Sequence, residues 1–293
     1  MNYKNEIEVL GTKVEIILKK ENTKIISLCF KELIRIEEKF SRFNKTSYLN
    51  KLNSNLYQWQ KIDAETLYLI NKSLKIQNET NKYFSIFLKK DLENLGYDSQ
   101  YSFKIKNYKK NYLELLKTNF QKPIKIKNNL IFLRREIEFG GLGKGYALDR
   151  ISKILEKAKI VNYLINAGGD IKCDSKKNFW QIYLEHPEKK DSLIGEIKLK
   201  KGSLTSSSPK LRNWENGFHH LINPKTNKSQ NEIKSIFVQS NLGIDADAYA
   251  TAFFCAGFDN AIKLSKKLQI PILAISSENK IYQSENFKAK LYS

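Results

Sequence analysis

Histidine and cysteine are scarce in this chain, three of each among 293 residues, and their spacing removes two kinds of site. Cys29, Cys173 and Cys255 stand far apart, form no CxxC pair and have no histidine at ligand spacing. That pattern argues against a structural zinc site and a disulfide framework, and leaves reduced, mostly buried thiols as the expectation. Proline falls to five residues. No Pro- or Gly-rich stretch separates autonomous domains, and no internal repeat is present. Long apolar runs are missing too: none approaches the ~18 residues of a membrane span. The opening MNYKNEIEVLGTKVEIIL alternates charge with apolar residues and lacks the unbroken apolar stretch of a signal peptide. A cytoplasmic protein is expected, or an exported one if a further segment precedes this one. Acidic side chains are outnumbered, 31 Asp and Glu against 51 Lys and Arg, for a net charge of +20. Such a charge suits an acidic partner. The lysines, however, are spread along the whole chain among many Asn and Ile, so a compositional bias is preferred and no nucleic-acid partner is expected.

What is there suffices for a folded core, with 41% hydrophobic residues and 12% aromatics, in one large domain or two intimately packed ones. EIEVLGTKVEIIL has the period-2 alternation of a strand pair broken at Gly11, and TKIISLCFKELIRIEEKFSRF switches to helical spacing. Ile26, Phe30, Leu33, Ile34, Ile36 or Glu37, and Phe40 form the expected core stripe of that helix. A second helix is expected over AETLYLINKSLKIQNET, with Leu67, Ile70, Leu74 and Gln77 on one face. KPIKIKNNLIFLRREIEF reads as strands, and GYALDRISKILEKAKI as a helix with Leu148, Ile151, Ile154 and Leu155 inward.

Three stretches bearing glycine and acid can converge on one diphosphate: FGGLGKGYALDR (139 to 150), LINAGGDI (164 to 171) and DADAYATAFFCAG (245 to 257). FGGLGKG should end a strand and open a helix, where backbone amides bind phosphate and Lys144 adds a mobile positive charge. It lacks the Lys-Ser/Thr ending of a P-loop and the spacing of GxGxxG, so a purely structural turn is the competing account. Asp170 either binds a ligand or caps its turn. Asp247 and Thr251 lie one helical turn apart, so two oxygens can grip one hard cation. The hydroxyls of KGSLTSSSPK either touch phosphate or solvate a turn. In FHHLINPKTNKS, His219 and His220 would face opposite ways if extended, so one can face a site as a general base or phosphate contact. His186, in YLEHPEKK, lacks such company and reads as a surface residue.

In this combination and order the motifs resemble the FAD:protein FMN transferase family, also called the ApbE family. The matches are LGT (10 to 12), SRFNKTSYLNKLN (41 to 53), FGGLGKGYALDR, LINAGGDI, LTSSS, HHLINPKT (219 to 226) and DADAYATAFFCAG. Leu10 stands where that family usually has Met, Glu138 and Asn223 where it has Asp, and Ser207 where it has Gly; residues 83 to 97 match less well. The resemblance implies an α+β, T-fold-like protein with mixed or antiparallel sheets and packed helices. It implies one transferase domain over 1–293, in two interlocked lobes with FAD between them. It implies Mg2+-dependent transfer of FMN from FAD to a Ser or Thr hydroxyl of a target flavoprotein, with AMP released. By the same analogy Gly141 (through its carbonyl), Asp247 and Thr251 hold Mg2+. Lys144 holds the phosphates. Leu10, Phe43, Ser85, Ile86, Phe87, Glu138 and Leu221 contact the flavin or adenosine, and His220 takes the acceptor's proton, with Asp247 completing the catalytic pair. The alternative is an FAD-binding or FAD-hydrolysing protein that uses the same cation site with water as nucleophile.

Overall fold

A computed structural model describes residues 2–98, 102–104, 122–189, 191–210, 213–214 and 217–292. Most of the charged and aromatic stretch from 98 to 121 lies outside those residues. The alternating N-terminus folds as strands β1 (Tyr3–Val9) and β2 (Thr12–Leu18), paired in register from Tyr3↔Leu18 to Val9↔Thr12. Their two-residue turn has φ of +59° at Leu10 and +67° at Gly11. A tight hairpin turn with positive φ at both positions matches the strands' right-handed twist, but Leu10 carries a Cβ that disfavours it. The Leu10 N–H donates to Glu37 Oε1 at 2.7 Å, which fixes the tip.

Helix α1 (Thr23–Phe40) starts where the Asn22 side chain accepts the Ile25 N–H. Ile26, Cys29, Leu33, Ile36 and Phe40 are buried along it, while Ile34 is 41% exposed. At 3.6 residues per turn Ile34 falls about 120° from the centre of that stripe, so it leaves the expected core set. Short α2 (Tyr48–Asn53) and strand β3 (Trp59–Lys61) lead to α3 (Ala64–Glu79). Here the inward face is Thr66, Leu69, Ile70, Ser73 and Ile76, rotated from the expected Leu67–Ile70–Leu74–Gln77 face. Ser73 is tolerated inside because its hydroxyl donates to the Leu69 carbonyl at 2.7 Å. After α4 (Lys89–Asn94), β4 (Ile124–Lys127) and β5 (Leu130–Leu133) pair and complete a three-stranded sheet, β3-β5-β4.

The main sheet has eight strands in the order β1-β2-β6-β7-β10-β15-β16-β17, every neighbouring pair antiparallel. Its remaining members are β6 (Tyr163–Ala167), β7 (Asp170–Asp174), β10 (Lys201–Ser207), β15 (Ile233–Ser240), β16 (Ile272–Ser276) and β17 (Ile281–Gln283). Strands β8 (Trp180–Glu185), β9 (Leu193–Leu199) and β18 (Ala289–Leu291) form a second three-stranded sheet. β11 (Asn213–Trp214) pairs β12 (Phe218–His219), and β13 (Ile222–Asn223) pairs β14 (Lys228–Ser229). The main sheet is apolar on both faces. Along β15, Ile236 and Val238 enter the larger core with the helices, and the alternate residue Phe237 enters a smaller one with Ile182, Leu184 and Leu204. Helices α5 (Gly143–Lys157), α6 (Gly243–Ala256) and α7 (Phe258–Leu268) pack on the main sheet, α5 against β6 and β7, α6 against β10 and β15, and α7 against β16. The architecture is the expected α+β class. Among the described residues no helix is long and apolar enough to cross a membrane.

Candidate active site

Helix α6 is buried nearly all round: eleven of its fourteen residues are inaccessible, mostly Ala and Phe. Such a helix must pack closely, and small residues let it do so. A Cβ on Gly145 of α5 would sit 2.1 Å from the Gly243 carbonyl oxygen and 2.8 Å from the Asp247 Cβ, so only glycine fits. Close approach lets the Gly145 N–H donate to Asp247 Oδ2 at 2.9 Å. The start of α6 has no cap of its own. Asp149 of α5 supplies one from outside, accepting the N–H groups of Gly243 at 2.7 Å and Ile244 at 3.0 Å. Lys172 neutralises that buried carboxylate at 2.9 Å and donates to the Asn241 carbonyl at 2.6 Å. Two helices and a strand are thereby locked together behind Asp247.

These elements open onto a cavity of about 850 Å³, the size of site that takes a large organic ligand. Leu10, Phe43, Ser85, Glu138, Gly141, Lys144, His220, Leu221, Asp247 and Thr251 all line it. Ile86 and Phe87 do not: both are in the core, and the Ile86 carbonyl accepts the Glu138 N–H at 2.8 Å. FGGLG is a turn, not a strand end. β5 stops at Leu133 and α5 begins at Gly143, because the Leu142 and Gly143 N–H groups both return to the Phe139 carbonyl. Gly168 and Gly169 form the β6–β7 hairpin, and Asp170 opens β7 rather than closing β6. The Thr251 hydroxyl lies 3.4 Å from the Gly141 carbonyl. Among the described residues no group of three or more His, Cys, Asp or Glu gathers to hold a metal unaided. A carboxylate, a hydroxyl and a carbonyl nevertheless form an all-oxygen set. That set suits Mg2+, which keeps substrate phosphates and waters among its ligands.

Carboxylates gather at the cavity: Glu138 and Asp247 line it, and Asp170 sits just behind the lining, between Gly169 and Ile171 and paired with Lys144. Asp170 is 1% exposed; burial pushes its carboxyl well above the usual range, the ammonium of Lys144, its salt-bridge partner, opposes this, and the charge on Asp247 adds to it. Glu138 is also raised by burial, with Arg42 pulling it back, and it accepts the Gly140 N–H at 2.7 Å. The histidines divide as the extended backbone requires. His219 is buried, its Nε2 3.0 Å from the Gln230 carbonyl and 3.1 Å from Asn231 Oδ1, and its Nδ1 accepts the Leu221 N–H. Burial lowers its pKa. His220 is half-buried on the cavity wall with its ring centroid 5.9 Å from that of Tyr97. His186 is no plain surface residue. It is half-buried at the cavity, where its Nδ1 accepts the Glu188 and Lys189 N–H groups. Sequence reasoning gave no site role to Arg42, Tyr97 or Glu37 on the same wall, Glu37 entering only as an alternative member of the α1 core stripe. Arg42 and Glu37 flank named residues, but nothing in their spacing marks them.

Similar proteins bear on this arrangement. The chain is 26% identical over 278 residues to a protein of Buchnera aphidicola subsp. Schizaphis graminum named FAD:protein FMN transferase, an alignment covering 89% of this chain and 81% of that one. It is 28% identical over 155 residues to the FAD:protein FMN transferase of Haemophilus influenzae, 49% of this chain and 44% of the other. Among solved structures, the ApbE protein from Thermotoga maritima superposes over 98% of both chains with a TM-score of 0.89 at 26% identity. Flavin transferase ApbE from Vibrio cholerae does so over 98% of both at 0.85 and 16% identity, a likeness of fold. The model of the ApbE family matches residues 10–274, a span that takes in every cavity-lining motif from the β1–β2 tip to Thr251, and the chain belongs to that family.

Proposed function

We propose that the chain is a FAD:protein FMN transferase, a single unit over 1–293 that moves FMN from FAD to a Ser or Thr hydroxyl of a target flavoprotein. One observation carries this reading: an imidazole and an all-oxygen cation set line the same cavity of dinucleotide size. Asp247, Thr251 and the Gly141 carbonyl are the residues that would hold Mg2+. When bound, the ion supplies positive charge to offset that of the diphosphate. Lys144, at the start of α5, holds phosphate oxygens; Phe43, Leu10, Leu221 and Glu138 orient the ring systems. His220 accepts the acceptor hydroxyl's proton as that oxygen bonds to the FMN phosphorus. The phosphoanhydride bond breaks and AMP leaves with the electron pair. His219, neutral and tied to two acceptors, serves the fold beside it. The nucleophile comes from the target. A cytoplasmic location belongs to the same proposal, and fractionation of the native host tests it.

Purified enzyme, FAD and a candidate flavoprotein should raise the target's mass by one FMN with magnesium and leave it unchanged in EDTA. Asp247→Ala, and Thr251→Val, which keeps shape but removes the oxygen, should each abolish most of that transfer. Accumulation of AMP and free FMN with no change in the target would favour hydrolysis instead, and EDTA-insensitive transfer would remove the metal assignment.

A further inference from the structure

Two residues beyond the end of α1, Arg42 is only 8% exposed yet lies on the cavity wall. Its guanidinium carbon lies 4.2 Å from the Phe43 ring centroid and 4.5 Å from that of Tyr97, and Nη2 donates to the Tyr97 carbonyl at 2.9 Å. Nη1, also buried, has no hydrogen-bond partner among the described residues. Burying a cationic N–H unpaired is costly, and such donors are nearly always satisfied. A purely structural role as a brace for Tyr97 would use Nη2 and the two ring faces; it leaves Nη1 unexplained. Across the same cavity stands the Glu138 carboxylate, near enough for Arg42 to stabilise its charge, though no hydrogen bond or ion pair joins the two among the described residues.

We propose that Arg42 is a specificity-determining residue of this cavity: with Glu138 it reads a planar ring edge that carries an acceptor atom next to an N–H donor. The inference rests on the cavity being the FAD site. Arg42 Nη1 faces the acceptor and Glu138 faces the donor, so a ligand with that edge satisfies both buried groups at once. The guanidinium is held flat by aromatic faces before any ligand arrives, so little ordering is lost on binding. FAD has two such edges. The flavin pyrimidine presents a carbonyl beside an imide N–H, and adenine presents a ring nitrogen beside its amino group.

Arg42→Lys, which retains charge and stem, and Arg42→Gln, which retains a neutral donor, are titrated with FAD, FMN and ADP beside the wild type, with thermal melts as a check on folding. Loss of one charge-assisted hydrogen bond should weaken FAD by ~10- to 100-fold. A matching loss for FMN with ADP spared assigns the flavin edge; loss for ADP with FMN spared assigns the adenine edge. A second arm uses wild-type protein alone: FAD methylated at flavin N3, or dimethylated at the adenine amino group, carries no N–H there, and one of the two should lose a similar factor. Unchanged FAD affinity in both folded variants overturns the proposal, as does equal loss of all three ligands or full affinity for both methylated forms. Failure of the wild type to bind FAD at all would instead overturn the site reading beneath it.

Discussion

At the scale of single residues, His219 and His220 leave an extended backbone in opposite directions and meet opposite environments, one a closed hydrogen-bonded pocket beside Phe254 and the other the cavity. His220→Ala should therefore lower single-turnover flavin transfer by ~100-fold or more, the scale of a general base, while FAD affinity stays nearly intact. His219→Ala should do the reverse. It leaves the Gln230 and Asn231 acceptors unpaired and should cost about 1–3 kcal/mol of stability, with the transfer rate of the folded fraction preserved. Titration of FAD, a thermal melt and a rapid-quench assay on both variants separate the two. A larger transfer defect at His219, with stability unchanged, would reverse the assignment. Adjacency made this division legible from sequence alone. His186 was not legible, because its route to the cavity depends on the turn that joins β8 to β9, which no local pattern encodes.

Between elements, two contacts decide how well the site is held. Gly145→Ala forces α5 away from α6 by overpacking, which should cost about 1–3 kcal/mol. It also moves the N–H that holds Asp247 Oδ2, so the magnesium concentration needed for transfer should rise; a melt and a magnesium titration of activity read both effects. The second contact is Glu65 of α3. It accepts from Arg35 at 2.7 and 2.9 Å and Lys39 at 2.6 Å on α1, and from the Tyr146 hydroxyl at 2.5 Å on α5. Burial pushes its carboxyl up, but these partners outweigh that and hold it at about 2. A depressed carboxyl stabilises the fold above its unfolded pKa and loses that contribution as pH falls through the folded one. The melting temperatures of wild type and Glu65→Gln should thus differ most above pH ~4.5 and converge towards pH 2. A constant difference across that range would show that Glu65 acts by packing alone. The helices themselves were largely readable. α1 and α5 carry their core residues at helical spacing, and only margins such as Ile34 and Ile154 depart from the expected stripe. α3 misled because hydropathy favours Leu67 and Leu74 over Thr66 and Ser73, whereas burial tracks which face meets the neighbouring helix and polar groups go inside when their hydrogen bonds close locally.

For the molecule as a whole, the class and the gathering of glycine and acid motifs were visible in the sequence, whereas the strand order was not. β2 pairs with β6 across a gap of some hundred and forty residues, Val14 opposite Ala167, and periodicity is blind to such distances. The cavity inherits this property. Gly145 and Asp247 stand 102 positions apart in the chain, and α6 fills the middle of the core only after every other wall of the site has been made. Contacts of such long range make folding slow. During synthesis the hairpin, α1 and α5 leave the ribosome long before Ala256 does. Over that interval the groove that will receive the alanines and phenylalanines of α6 is bare apolar surface, the kind that draws aggregation or a chaperone. The nascent enzyme thus has a client's surface before it has a substrate's.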